Sequence, residues 1–266
     1  MTNFSQLIIC SQILCNFVKK FLTKYKIMKI FNLSVILLLI SFITAFNSHN
    51  DKNKIKEQGT FIISNNNPQN IKDLPYTRYH VKSGIAEYNL TGIQTGTETI
   101  YFDKWGMREA KYTKATVTIF GMTKNLNTME LTDNNWHYSI DFDTKTGTKY
   151  KNDSLQIQAQ QMETNDMVMI GEENMKKIGG EKTGTEKIAG KTCDIWKIEK
   201  IGAKIWLWKG ISLKTYVNML GMEMTNIATK IDINTDIPES KFVIPADIII
   251  TETTKKTNSR HNYYIK

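Results

Sequence analysis

Alternation of apolar and polar residues at period two, running from about residue 78 to 251, is the feature that most limits what this chain can become. A segment with that period hides one face and wets the other, which is the behaviour of antiparallel strands. The pattern predicts strands at Arg78–Leu90, Glu98–Lys104, Arg108–Thr113, Thr116–Phe120, Asn127–Thr132, Trp136–Asp141 and Gly147–Lys151. A second series follows at Thr185–Ile188, Thr192–Lys200, Lys204–Lys209, Ser212–Leu220, Met222–Asn234 and Val243–Thr251. Between them stand turn residues such as Trp105-Gly106, Asp133-Asn134-Asn135 and Lys145-Thr146-Gly147, the punctuation of hairpins. In Thr192–Lys200, Asp194, Trp196 and Ile198 share one side, while Cys193, Ile195 and Lys197 share the other. In Ser212–Leu220, Leu213, Thr215, Val217 and Met219 oppose Lys214, Tyr216 and Asn218. Roughly a dozen strands are too many for a flat open sheet, which curls instead. The expected fold is therefore mainly β: one antiparallel, highly curved sheet forming an unclosed β-barrel, with one or two short helices packed on it.

The helices belong to the interval between the two series. Ser154–Asp166 places Leu155, Ala159 and Met162 at i, i+4 and i+7, a single apolar stripe. Glu172–Ile178 reads as a second helix, stopped by Gly179-Gly180. Met162, Met167, Met169 and Met175 are expected to pack this region onto the sheet as core filling; the sharper alternative is an adaptable surface facing an apolar ligand.

Charge and hydropathy divide the rest. The formal charge of +9 invites a nucleic-acid reading. Yet five of the 35 basic residues (Lys19, Lys20, Lys24, Lys26 and Lys29) lie in residues 1–46, which lack Asp and Glu, leaving 30 basic against 26 acidic elsewhere. Those lysines are spread along alternating strands, so no phosphate-tracking patch forms and nucleic acid is not an expected partner. From Ile30 to Phe46 the chain carries no charge and follows Lys26 and Lys29, the layout of an export signal. Ile43-Thr44-Ala45 is an acceptable cleavage site, with Phe46 as first mature residue. The rival is a retained anchor, for which the stretch is short: it reaches roughly 26 Å against a bilayer core of about 30 Å. The domain reading is an N-terminal extension and signal at 1–45 (apolar stretch 30–46), a polar linker at 46–75, the open barrel at 76–254 and a loose tail at 255–266. Membrane contact is expected only through the signal or anchor segment, and the compartment is the periplasm or envelope of a Gram-negative cell.

Chemistry is sparse. Of four histidines, His49 and His261 lie outside the strands, and His80 and His137 lack a second ligand at zinc spacing. No nucleophile elbow, paired-histidine zinc motif or phosphate loop occurs. Cys10 and Cys15 fall in the N-terminal region, so Cys193 stands alone and reads as a buried strand thiol. Asp141 and Asp143 flank a hairpin turn, where Asp is common. No enzyme, cofactor or metal is expected.

The aromatics say more. Trp105, Trp136, Trp196, Trp206 and Trp208 lie on or beside expected strands, and Lys204–Lys209 is apolar on both faces. Core packing accounts for this pattern, and so does an apolar site on a concave sheet. The candidate ligand-lining residues are Trp105, Trp196, Trp206, Trp208, Tyr216 and Met219.

Two stretches carry a family resemblance. One is GTETIYFDKWGMRE, from Gly96 to Glu109; the other runs from Gly184 to Pro245 and includes GTEKIAGKTCDIWKIEKIGAKIWLWKG and the closing DINTDIPESKFVIP. This resembles the LolA/LolB-like superfamily of periplasmic lipoprotein carriers, over about Tyr79 to Thr251. The resemblance implies a twisted sheet in an unclosed barrel, helices plugging the open side over an apolar cavity, and an acyl lipid or other apolar small molecule as ligand. Residues 47–75 show no helical period where those carriers have a long amphipathic helix, so an exported relative is implied rather than a carrier. The alternative is a filled barrel acting as a structural or protein-interaction module.

Overall fold

The computed structural model of the chain describes residues 76–253 apart from position 220; the readings of 1–75 and 255–266 lie outside them. One twelve-stranded sheet dominates, in the order β12-β6-β5-β4-β3-β2-β1-β11-β10-β9-β8-β7. Two meanders make it. The first is β1 (Gly84–Gly92), β2 (Gln94–Asp103), β3 (Arg108–Ile119), β4 (Met122–Asp133), β5 (Trp136–Asp141) and β6 (Thr146–Lys151). The second is β7 (Glu181–Ile188), β8 (Lys191–Ile198), β9 (Ala203–Trp208), β10 (Ile211–Met219) and β11 (Met222–Ile233). They join through an antiparallel seam of β1 on β11, with Gly84 opposite Ile233 and Gly92 opposite Met224. The last strand, β12 (Ile249–Glu252), pairs parallel with β6 and is the one exception to the antiparallel order. With two short helices, α1 (Ser154–Gln161) and α2 (Met167–Lys177), this is the open barrel that the alternation predicts.

Register assigns each side chain to a face. Phe102, Ile100 and Glu98 on β2 lie opposite Gly84, Ala86 and Tyr88 on β1, and Glu109, Lys111 and Thr113 on β3 continue the row. This face, called inner here, receives residues 76–83. Tyr79 stands edge-on to Phe102 with ring centroids 5.0 Å apart, in a cluster that includes Ala86, Tyr88, Cys193, Trp206, Leu213 and Ala228. Close approach is needed where this segment crosses the β9–β10 turn. A side chain starting at Gly210 would sit 2.6 Å from the Arg78 carbonyl oxygen and 2.7 Å from Val168 Cγ2. Gly210 also has φ +85°, which a branched residue would adopt at a cost.

A strap covers the outer face between β3 and β5. Phe242 plugs into Ala110, Met129, Leu131 and Ile140, with Ile237, Ile244, Ile248 and Ile250 around it. The strap that carries Phe242 is pinned by Tyr112 Oη, which donates to the Lys241 carbonyl at 2.8 Å, and by the Arg108–Glu239 ion pair.

Several boundaries differ from the sequence reading. Arg108–Thr113 and Thr116–Phe120 are one continuous strand, because Lys114-Ala115 simply pairs with Asn127 and Leu126 on β4. Residues 78–83 leave the sheet to cross the inner face, so β1 starts at Gly84. Val243–Thr251 keeps only its last residues as strand, since the segment before them is strapped over the outer face. The second helix begins at Met167, where the Asp166 carboxylate accepts from the Val168 and Met169 amides as an N-cap. Of the four helical-region methionines, Met167 and Met175 are buried, while Met162 and Met169 are exposed.

Candidate functional site

The inner face carries charge where a simple barrel would carry only hydrocarbon. Arg78 Nη1 donates to the Gly106 carbonyl at 3.0 Å, and Nη2 reaches Glu109 Oε1 at 3.4 Å. The other Glu109 oxygen accepts the Tyr79 hydroxyl. Lys111 pairs with Glu130 at 2.6 Å. Beside them Glu98, 7% exposed, accepts from Thr113 Oγ1 at 3.1 Å and from Asn226 Nδ2 at 3.0 Å.

Burial bears on the protonation of Glu98, Lys111, Arg78 and Tyr79. It lifts the Glu98 carboxyl above its ordinary range, partly opposed by Lys111 and by its two hydrogen bonds. Burial lowers the pKa of Lys111 and of Arg78, but the facing carboxylates outweigh it and raise both above their ordinary values. Burial, reinforced by Glu109, pushes the Tyr79 hydroxyl up. Tyr79 therefore donates, and the carboxylates accept.

Two buried polar atoms on this face have no partner among the described residues: Trp196 Nε1, a donor, and Asn226 Oδ1, an acceptor. Asn226 Nδ2 faces Glu98 Oε1, which turns Oδ1 away from that carboxyl group. Asn226 pairs with Thr215, Thr215 with Ile205, and Ile205 with Trp196, so the two lie in one transverse row. Three strand spacings separate them by roughly 14 Å along the sheet. Each buried unpaired group costs about 1–3 kcal/mol, so the row presents a standing demand for hydrogen bonds.

The sequence-nominated lining residues do not gather in one place. Trp196 is fully buried on the inner face, and Met219 follows the same phase at the far end of β10. Trp206, Trp208 and Tyr216 lie in the opposite register phase, yet Trp206 belongs to the Tyr79–Phe102 cluster, and Trp208 and Tyr216 pack against it. There Trp206 Nε1 donates to Glu186 at 2.5 Å with the Lys214 ammonium 4.2 Å above its ring. Trp208 is flanked by Lys191 and Lys209, and Tyr216 donates to Glu223. Trp105, held at φ 56°, packs with Tyr76, Met107 and Met167 beneath the helices. Tyr216 and Met219 have opposite parity on one strand, a separation already visible in the numbering. The residues that sequence reasoning missed are Arg78, Glu98, Glu109, Lys111 and Asn226. For Glu98, Glu109 and Lys111 the signal was charge falling in the same phase as buried Phe102 and Thr113; Arg78, outside every strand, had none.

A shallow depression of about 280 Å³ opens on the outer face, lined by Thr97, Thr99, Tyr101, Tyr112, Lys114 and Lys241. It contains none of the nominated residues. His80 Nε2 lies 2.9 Å from both Asp166 oxygens, where it braces the α2 cap. Among the described residues no three His, Cys, Asp or Glu side chains are grouped to hold a metal ion.

Fold and face together define an open single-sheet barrel with a polar row and a buried ion network on its inner side. No family model matches this sequence, and no curated protein matches it. Solved structures resemble it at low identity. An uncharacterized conserved protein from Thermus thermophilus is 6% identical with TM-score 0.43, covering 65% of this chain and 92% of that one. MucB in complex with MucA is 11% identical with TM-score 0.38 over 64% of this chain, which spans 56% of the MucB chain; MucA/MucB of Pseudomonas aeruginosa has also been solved. A domain described as that of an outer membrane lipoprotein-sorting protein from Vibrio parahaemolyticus is 13% identical with TM-score 0.21, over 62% of this chain and 91% of that one. At such scores the likenesses carry nothing into the reading of the site.

Proposed function

We propose that this chain is an exported, non-catalytic binding protein of the cell envelope that holds an acyl lipid or similar amphipathic molecule on the inner face of its open barrel. The observation that supports this is the pair of buried, unpartnered atoms, Trp196 Nε1 and Asn226 Oδ1, in one row. A guest with an acceptor for the indole and a donor for the amide removes both penalties. Its hydrocarbon then contributes about 0.8 kcal/mol for each methylene buried. Lys111 and Arg78 are already neutralised by Glu130 and Glu109, so a neutral polar group suits the row better than a carboxylate facing Glu98.

Native mass spectrometry with lipid extraction, on protein recovered from a Gram-negative periplasm, tests the reading. A near-stoichiometric amphiphile is expected, with affinity lowered about five- to tenfold in Trp196→Phe, the weight of one hydrogen bond. A clean protein mass that takes up no added fatty acid, monoacylglycerol or phospholipid would sink it. The second reading is a protein-interaction module with a filled barrel. It is favoured by one feature, the ion network that occupies the inner face between β1 and β4.

A further inference from the structure

One end of the barrel is built unlike the other. The β1–β2, β3–β4 and β10–β11 turns lie side by side there: the Thr118 amide donates to the Ile93 carbonyl at 2.9 Å, and the Ile93 amide to the Glu223 carbonyl at 2.8 Å. Their residues include Ile93, Ile119-Phe120-Gly121-Met122, and Met219 with Gly221-Met222. Phe120 is 75% exposed and Met122 46%. The opposite end turns through Asn134-Asn135 and Lys209-Gly210, polar tips, and through Trp105, an aromatic at positive φ that packs on Tyr76 and Met107.

Phe120 contradicts turn chemistry. It occupies the first central position of a two-residue hairpin with φ 51°, followed by Gly121 at φ 76°. Asn is the residue of choice there; a bulky aromatic in the left-handed region is strained and gains no packing when it points to water. Local rules broken without a structural gain mark a functional position.

We infer that this end of the barrel docks on a phospholipid bilayer through its hairpin tips, with Phe120 and Met122 entering the interface. The shape chooses the partner. No atom lies within 4 Å of where a side chain at Gly121 or Gly221 would begin, so the two tips stand clear of their surroundings among the described residues. A folded protein partner needs a contiguous, shaped surface, whereas a fluid apolar phase closes around separate projections. Charge does not oppose the approach. Lys124, next along β4, is exposed and in no ion pair among the described residues, and Glu223 is engaged by Tyr216 and Asn218. This contact is additional to any made through residues 30–46, and it needs no ligand inside the barrel.

The test uses the full chain bound to phosphatidylethanolamine–phosphatidylglycerol vesicles whose lipids are brominated in the acyl chains. Phe120→Trp adds a reporter at the tip, and Asn134→Trp adds one at the opposite end; the five native tryptophans give the background. Most of the emission added by Phe120→Trp should be quenched, and that added by Asn134→Trp should not. Equal quenching of both, or of neither, overturns the inference. Phe120→Asn separates docking from folding: it should melt at or above the wild-type temperature, because Asn-Gly suits the turn. A lower melting temperature would assign Phe120 to the fold and overturn the proposal as well.

Discussion

Removing Arg78 should be among the most damaging single changes in this chain, although the residue lies outside every strand. Its side chain and that of Glu109 are 18% and 13% exposed, and their charges approach to 3.4 Å. At an effective dielectric of about 20, that separation corresponds to roughly 5 kcal/mol of attraction, offset in part by desolvation of both ions. Truncation leaves Glu109 buried with the Tyr79 hydroxyl and the field of Lys111, and stranding one member of a buried pair costs about 3–5 kcal/mol. Loss of the hydrogen bond to the Gly106 carbonyl adds about 1 kcal/mol. We expect Arg78→Met to lose about 4 kcal/mol and Glu109→Gln about 3 kcal/mol, since Gln still accepts from Tyr79. The double variant should lose well under their sum, because no charge is then stranded. Urea denaturation at neutral pH, with unchanged m-values, measures all three. A loss below about 1 kcal/mol for Arg78→Met, or strict additivity in the cycle, would refute the reasoning.

Two further changes probe the network and the helix cap. Burial raises the Glu98 pKa in the folded chain, so stability from this group is fully present below its unfolded pKa and is lost as pH rises through the raised value. Glu98→Gln removes that titration; relative to wild type its stability should climb between about pH 4 and pH 7, and a flat or falling difference in chemical melts would contradict the assignment. Asp166→Ala should cost about 1–2 kcal/mol, since the carboxylate caps the Val168 and Met169 amides. Asp166→Asn should recover most of that, with the remainder reporting the exposed His80 pair, and equal losses in thermal melts would show that the cap contributes nothing.

Strand existence was legible because burial of one face imposes period two on every residue that follows. Parity even fixed the faces of Trp196, Trp206 and Tyr216 before any coordinates. What parity could not say is which face is inner, because that depends on where residues 76–83 and 235–248 cross the sheet. Both are irregular segments without a period. The site was hidden for a related reason. Hydrophobic lining was sought among aromatics, while the inner face between β1 and β4 is furnished with Glu98, Glu109, Lys111 and Arg78. Each looks like an ordinary surface charge until its partner, supplied from a distant strand or segment, is known. Asp166 was readable as a cap, but Met167 to Gly171 lacks the polar spacing that would have drawn the helix back to it.

The seam between the two meanders also sets an order in time. Hairpins within each meander join neighbours in sequence and close short loops, whereas Gly84 must wait for Ile233. Bringing such distant segments together forfeits chain entropy before any contact rewards it. During synthesis β1 emerges well before β11, so one edge of β1 stays open until β11 has been made. Docking of the meanders is then the slow step, and substitutions at the Tyr88–Ala228 pair should slow refolding, while those in the hairpins mainly hasten unfolding.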